Sequence, residues 1–272
     1  MTVGSGLDVD RLRVGYNQGA GDLTVNGGAV LVGDGTTPFD IGYRDTGNGP
    51  TLGVVDFSAA SSVTIDVATL RMGVGPTGSS STQGDLTLSA AGINTVTANT
   101  IGLGFDNGGG NQSASLSSDL HLGGNSNIFN VNTFTVGDAK SVGNVDILAG
   151  GSSTLRGAAG GTTRADLNIG LNTAGTGTNS QGSVVNLSGA STLDLLVDDL
   201  IIGRHISGGG SGNGTLTFDA GTINANTVTL GLSTGDAPTN TIAIINQRGG
   251  SFVVNNGLTD GGGTTTLNVE KG

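Results

Sequence analysis

The sequence predicts an all-β fold, a parallel β-helix (β-solenoid) of three short strands per coil and about eight to nine coils. Three observations carry this. Glycine supplies 53 of 272 residues, Trp and Cys are absent, and Glu270 is the sole glutamate, so strong helix formers are scarce. A short signature, apolar–any–apolar–Gly, recurs eight times at near-constant spacing. Length variation falls largely on one polar connection per repeat, as in repeat proteins that take insertions on one face.

The signature opens each unit. It reads Leu12-Arg-Val14-Gly15, Phe39-Asp-Ile41-Gly42, Leu70-Arg-Met72-Gly73, Ile101-Gly-Leu103-Gly104, Phe134-Thr-Val136-Gly137, Leu167-Asn-Ile169-Gly170, Leu200-Ile-Ile202-Gly203 and Val228-Thr-Leu230-Gly231. Successive spacings are 27, 31, 31, 33, 33, 33 and 28 residues. Alternation with period two marks a strand with one buried face. The glycine at a fixed corner points to positive φ, which an L side chain resists.

A second strand precedes most of these anchors: Leu23-Thr-Val25, Val55-Asp-Phe57, Leu86-Thr-Leu88, Leu120-His-Leu122, Val145-Asp-Ile147, Val185-Asn-Leu187 and Leu216-Thr-Phe218. A third, shorter strand fills the gap to the anchor, as in Val63-Thr-Ile65-Asp-Val67, Ile93-Asn-Thr-Val96, Ile128-Phe-Asn-Val131 and Leu193-Asp-Leu195. The polar stretches Tyr16 to Gly21, Gly75 to Gly84, Phe105 to Ser118 and Asn172 to Gly182 are the variable loops.

One such unit cannot bury its apolar side alone. Stacking like on like places the anchors in one internal column and pairs each coil in parallel with the next, about 4.8 Å away. The usual crossover rule favours a right-handed coil. A sandwich or barrel of hairpins fits the strand content but not the loop pattern. Residues 1–272 read as one solenoid domain, a module or subunit of a longer fibre or surface protein.

The stretch Gly214-Thr-Leu-Thr-Phe-Asp-Ala-Gly-Thr-Ile-Asn-Ala-Asn-Thr-Val-Thr-Leu-Gly231, and the similar one from Gly84 to Ile101, resemble the β-strand repeats of bacterial autotransporter-associated and other giant surface proteins. The resemblance covers roughly residues 9–231. It implies an extracellular or cell-surface solenoid serving as stalk, adhesin or matrix fibre, and it transfers no binding residue. No membrane-inserting barrel is recognisable at the C-terminus. Met1-Thr-Val-Gly-Ser-Gly lacks the basic and apolar regions of a signal peptide, so targeting lies elsewhere or the chain is part of a longer product.

The formal charge of −11 disfavours nucleic acid, and no apolar run spans a membrane. Leu7-Asp-Val9 looks like the start of a coil, and Leu267-Asn-Val269 like a final strand with Glu270 where an anchor glycine would sit. Neither end shows a capping helix, and open strand edges recruit further strands. The expected partner is therefore a second copy, head to tail, with a glycan or surface ligand as the adhesin alternative.

Candidate chemistry is sparse. Asp198, Asp199, Arg204 and His205 flank one anchor and suggest a polysaccharide hydrolase or lyase. Asp199 also fits a repeated pre-strand position with Asp22, Asp85, Asp119 and Asp166, and Arg204 and His205 open an exposed loop. His121, between Leu120 and Leu122, reads as a solvated face residue. Asp34 and Asp106 lack the spacing of calcium loops. The glycines at 208–210 lack the helix of a dinucleotide site. Asn111, Asn186 and Asn213 match glycosylation sequons that chance alone explains. No catalytic, metal or cofactor residue is assigned. The candidate residues are the corner glycines Gly15, Gly42, Gly73, Gly104, Gly137, Gly170, Gly203 and Gly231. Tyr16, Tyr43, Val74 and Phe105, each following such a glycine, form the other set, an external apolar strip for lateral contact.

Overall fold

In the computed structural model the chain is an all-β solenoid of parallel strands; residues 1–46, 49–75, 82–106, 117–139, 141–173, 182–206, 211–234 and 241–270 are described. The coil from residue 51 shows the plan. Strand β7 (Thr51–Asp56) crosses one face, β8 (Ser62–Gly75) covers the next two, and β9 (Thr82–Thr87) returns above β7. Among the described residues ten strands, β7 and its equivalents, form the first sheet, and the rest form a second sheet of twelve. Every ladder between named strands is parallel, and residues pair with their counterparts one repeat on: Leu86 with Leu120, Ile101 with Leu70 and Phe134.

The expected second and third strand classes differ in continuity. The third strand and the anchor fuse into one bent strand in β8, β10 (Ile93–Asp106), β12 (Ser126–Ala139) and β17 (Thr192–His205). Pairing skips one residue at the bend, at Ala68, Asn99, Asn132 and Asp198. The strands Thr222–Ser233 and Ser251–Asp260 are continuous in the same way, whereas the two parts are separate in β14 (Ser152–Arg156) and β15 (Ala165–Asn172). The turn between them, and the Asp34 turn between Val32 and Pro38, place insertions at a second corner, which the loop pattern did not suggest. Asp34 closes its turn by accepting bonds from the Thr36 and Thr37 amides. Those bonds hold its carboxyl below the ordinary range.

The interior is one continuous apolar cluster. Leu23, Val55, Leu86, Leu120, Val145, Val185 and Leu216 line the first sheet, and Phe39, Leu70, Ile101, Phe134, Leu167, Leu200 and Val228 line the anchor face. The eight corner glycines all have φ between +60° and +75°. At Gly42 the cause is visible: a Cβ would sit on the carbonyl oxygen of Gln83 in the next coil. The corner is thus closed twice, by conformation and by space.

One expected inward residue points out. Ile93 is 54% exposed, and its neighbour Asn94 is fully buried, as is Asn127 one coil on. The Asn94 Nδ2 donates to Asn127 Oδ1 at 2.9 Å. Asn127 also accepts from the Gly123 amide and donates to the Gly123 and Ser152 carbonyls, all at 2.9 Å. Asn94 makes the same pair of bonds to Ser89. These amides satisfy corner backbone that the sheets leave unpaired, which an apolar side chain cannot do.

The C-terminal strand also corrects an expectation. Strand β22 (Thr264–Val269) pairs with β20 (Ile242–Gln247), so Leu267 continues the first-sheet column over Ile245. Glu270 is not at an anchor position. The equivalent of Gly231 is Gly261, reached through β21 (Ser251–Asp260), where Leu258 pairs with Val228 and Asp260 with Leu230.

Gly42→Ala is expected to cost more than about 2 kcal/mol, from left-handed strain and displaced backbone. Gly102→Ala, with nothing within 4 Å of the added carbon, leaves stability unchanged or raises it by up to about 1 kcal/mol. Urea unfolding of both variants checks the contrast. Asn127→Ala, which strands buried backbone groups, costs about 2–4 kcal/mol by the same measurement. The exposed Asn132→Ala stays within about 0.5 kcal/mol.

Candidate functional site

The left-handed glycine turns the backbone so that the residue after it lies beside the outward side chains of its own strand. Register stacks Tyr16 on Tyr43 and Val74 beside Phe105. The rings of Tyr16 and Tyr43 lie 5.8 Å apart, nearly parallel. The line is less external than a strip for lateral contact requires, because Tyr43 and Val74 are 8% and 9% exposed. Arginines cover the two tyrosines: the Arg13 guanidinium lies 4.2 Å from the Tyr16 ring centre and that of Arg71 3.8 Å from Tyr43. Burial pushes the Tyr43 hydroxyl above its ordinary pKa of 10.0.

Both arginines belong to an ion-pair stack. Asp40, fully buried, accepts from Arg13 Nε at 2.9 Å and Arg71 Nε at 2.6 Å. The outward column runs Arg13, Asp40, Arg71 and then Gly102. The column after the corner glycine continues from Phe105 to Asp138, which is not apolar. Burial raises the Asp138 carboxyl above its ordinary value, against bonds from Thr173 and the Ala139 amide that favour its charged form.

The other suspected constellation does not converge. Asp198 accepts from Asn226 at the outer bend, and Asp199 from Thr227. Of the aspartates grouped with Asp199, only Asp166 shares its column, bonded to the Asp199 amide. Asp22, Asp85 and Asp119 lie on the first sheet. His205 does not open an exposed loop. It is fully buried at the end of β17, paired with Asn172 and Ser233 in register, and neither ring nitrogen finds a hydrogen bond among the described residues. The sequence hides this because His205 lies just past the flip at Gly203, where alternation no longer reports which side faces in.

The first sheet carries a polar, acidic outer face. A shallow concavity of about 400 Å³ is lined by Asp119, His121, Asn144, Asp146 and Asn186, with two valines. His121 Nδ1 lies 2.9 Å from Asp146. Asn144 donates to Asp119 at 2.8 Å, and Asp85 accepts from the Asp119 amide. Burial, then the charge of Asp119, raises the Asp85 carboxyl. The bond to Asp146 raises His121 above 6.5. His121 is half-exposed, but it is a member of this charged stack. Among the described residues no three His, Cys, Asp or Glu side chains converge as metal ligands.

Sequence reasoning missed the asparagines. On the outer bend Asn132 donates to Asn99 at 2.9 Å, and Asn255 to Asn226 at 3.1 Å. Inside, Asn94 and Asn127 form the buried pair. Both Asn94/Asn127 and Asn99/Asn132 are 33 residues apart, one repeat length. Searching for polar side chains at the repeat period would have found them. The sequon Asn111 and the glycines at 208–210 lie outside the described residues.

Fold and surface together define a β-solenoid repeat protein. No family model, curated protein or solved structure matches the chain.

His121 gives a pH prediction with a definite sign. Its folded pKa is raised, so the pair with Asp146 stabilises fully below pH 6.5 and is lost as pH rises through the folded value. An NMR titration should place His121 above 6.5, and Asp146→Asn should return it toward that value.

Proposed function

We propose that this chain is a non-enzymatic structural rod, working outside the cell or on its surface, that lengthens by stacking coil on coil with further copies of itself. The observation that carries the reading is the match between its two end faces. At one end Val3, Leu7, Val9 and Leu12 only partly cover the core, as Phe252 and Val254 do at the other. Leu258, Leu267 and Val269 are 54%, 46% and 64% exposed.

The columns are the same at both ends. The first-sheet column that starts at Val3 ends at Val269 in β22. The third-strand columns start at Leu7 and Val9, and the anchor column runs from Leu12 to Leu258. A second copy stacked head to tail would pair each edge strand in parallel and continue the columns that end at Phe252, Leu258, Leu267 and Val269 apolar on apolar, while Asp260 closes the second anchor column with a carboxylate. Such a contact repeats without closing, which builds filaments. The resemblance to giant surface-protein repeats supports the extracellular setting. That Asp198, Asp199 and His205 are occupied or buried supports a role without catalysis.

The test uses the whole chain with one end blocked at a time. Sedimentation and electron microscopy should show rods lengthening with concentration. Leu258→Asp and Leu7→Asp should each stop growth with the circular dichroism spectrum unchanged. Mixing the two variants should give one-to-one dimers and nothing longer, since each retains one live end. Monomers at all concentrations, or rods unaffected by either variant, would exclude the reading.

A further inference from the structure

We infer that the outer anchor face carries a binding site for a neutral pyranose unit of a glycan, in the notch above Gly102. The notch is a gap in a filled column. Coil by coil the outward side chains are Arg13, Asp40, Arg71, none at Gly102, then Thr135 and Asn168. A Cβ on Gly102 would meet nothing within 4 Å, and its φ is ordinary for a strand. Neither backbone strain nor close approach demands a glycine there, in contrast to Gly104 two residues on. What the glycine does is leave space.

The space is a groove of about 290 Å³ lined by Arg71, Val74, Gly102, Phe105 and Asp138, with threonines along its edge. In the coils below, the matching aromatic rings are covered: Tyr16 by Arg13 and Tyr43 by Arg71. Phe105 has Gly102 where Tyr16 has Arg13 and, one coil on, the short Thr135 where Tyr43 has Arg71, and it is part-exposed. Thr69, Thr100 and Thr133 pair in register beside it, half-buried, as a line of hydroxyls along the rod. Among the described residues only Nε of Arg71 is engaged, by Asp40, so its terminal nitrogens remain as donors. On the other side Asp138, 9% exposed, gives Oδ1 to the Ala139 and Thr173 amides, and Oδ2, bonded only to the Thr173 hydroxyl, keeps a lone pair as an acceptor.

An aromatic surface with donors and acceptors at its margin suits a ring that is apolar on its face and hydroxylated at its edge. Charge selects among saccharides. Asp40 pairs with Arg71 and Arg13 together, the opposite wall is a carboxylate that balances the remaining positive charge, and the chain carries −11. Uronates and sulfated sugars are therefore disfavoured. The site lies on a sheet face rather than in the loops, and it does not depend on end-to-end association.

The experiment is isothermal titration and saturation-transfer NMR with cellotetraose, maltotetraose, mannotetraose and galactotetraose, and with tetragalacturonate as the charged control. At least one neutral tetrasaccharide should bind, with saturation transferred from aromatic protons. Gly102→Thr, which fills the notch, and Phe105→Ala should each weaken binding by about tenfold or more. Thr87→Ala, on the first sheet, should leave it unchanged. If Phe105→Ala proves unstable, Gly102→Thr decides alone, because its side chain enters open space from a regular strand. No neutral probe binding at about 10 mM, tighter binding of tetragalacturonate, or binding unmoved by Gly102→Thr would overturn the inference.

Discussion

The parallel ladder between each residue and its counterpart one coil on constrains everything else in this molecule. Ladders of this kind hold neighbouring backbones about 4.8 Å apart. No side chain can then be chosen alone: whatever occupies one coil is met by what occupies the next. Inside, this rewards apolar columns, because Leu, Ile, Val and Phe tolerate one another in any order. Outside and at corners it imposes matching. The amide stacks of Asn94 on Asn127 and Asn132 on Asn99 answer that demand, since a carboxamide is donor and acceptor at once and can bond a copy of itself.

Carboxylates cannot do this. A column of aspartates would place like charges one ladder step apart, and 20 of the 21 acidic residues here are aspartates. The structure shows how the columns are broken. Asp40 lies between two arginines, Asp119 is followed by Asn144, Asp146 is followed by Asn186 and bonded to His121, and Asp198 is followed by Asn226. Where two carboxylates do meet, as Asp85 and Asp119, partial burial and the neighbouring charge raise the pKa of Asp85. The net charge is large, yet the local arrangement alternates.

How much of this was legible follows from what each residue type reports. Corner glycines report a backbone conformation, and that conformation recurs wherever the corner does, so the anchors could be read at sight. Leu, Val and Ile report only a preference for burial. Ile93 illustrates the weakness: its alternation pattern fits either face, and the corner's need for backbone hydrogen bonds gave the inside to Asn94. His205 was misread for a related reason, since the flip at Gly203 reverses the alternation beyond it. Asp260 stands where an anchor's second apolar residue belongs, so the last anchor did not match the signature. The aromatic strip was visible as a sequence offset, but its cover by Arg13 and Arg71 depends on side chains from neighbouring coils and could not be.

The same ladder separates interior from exterior. Alternation sends Ile101 and Leu103 inward while Gly102 between them faces out. An outward residue can therefore change from arginine to nothing without disturbing a single core contact, as happens between Arg71 and Gly102. That independence distinguishes a solenoid from a small globular domain, where most positions near a groove also support the core. Here the rod's cohesion lies in inward columns and backbone ladders, and its surface chemistry is written on residues that neither requires. A structural rod and a recognition surface are then compatible demands on one chain, because they draw on alternate residues of the same strands.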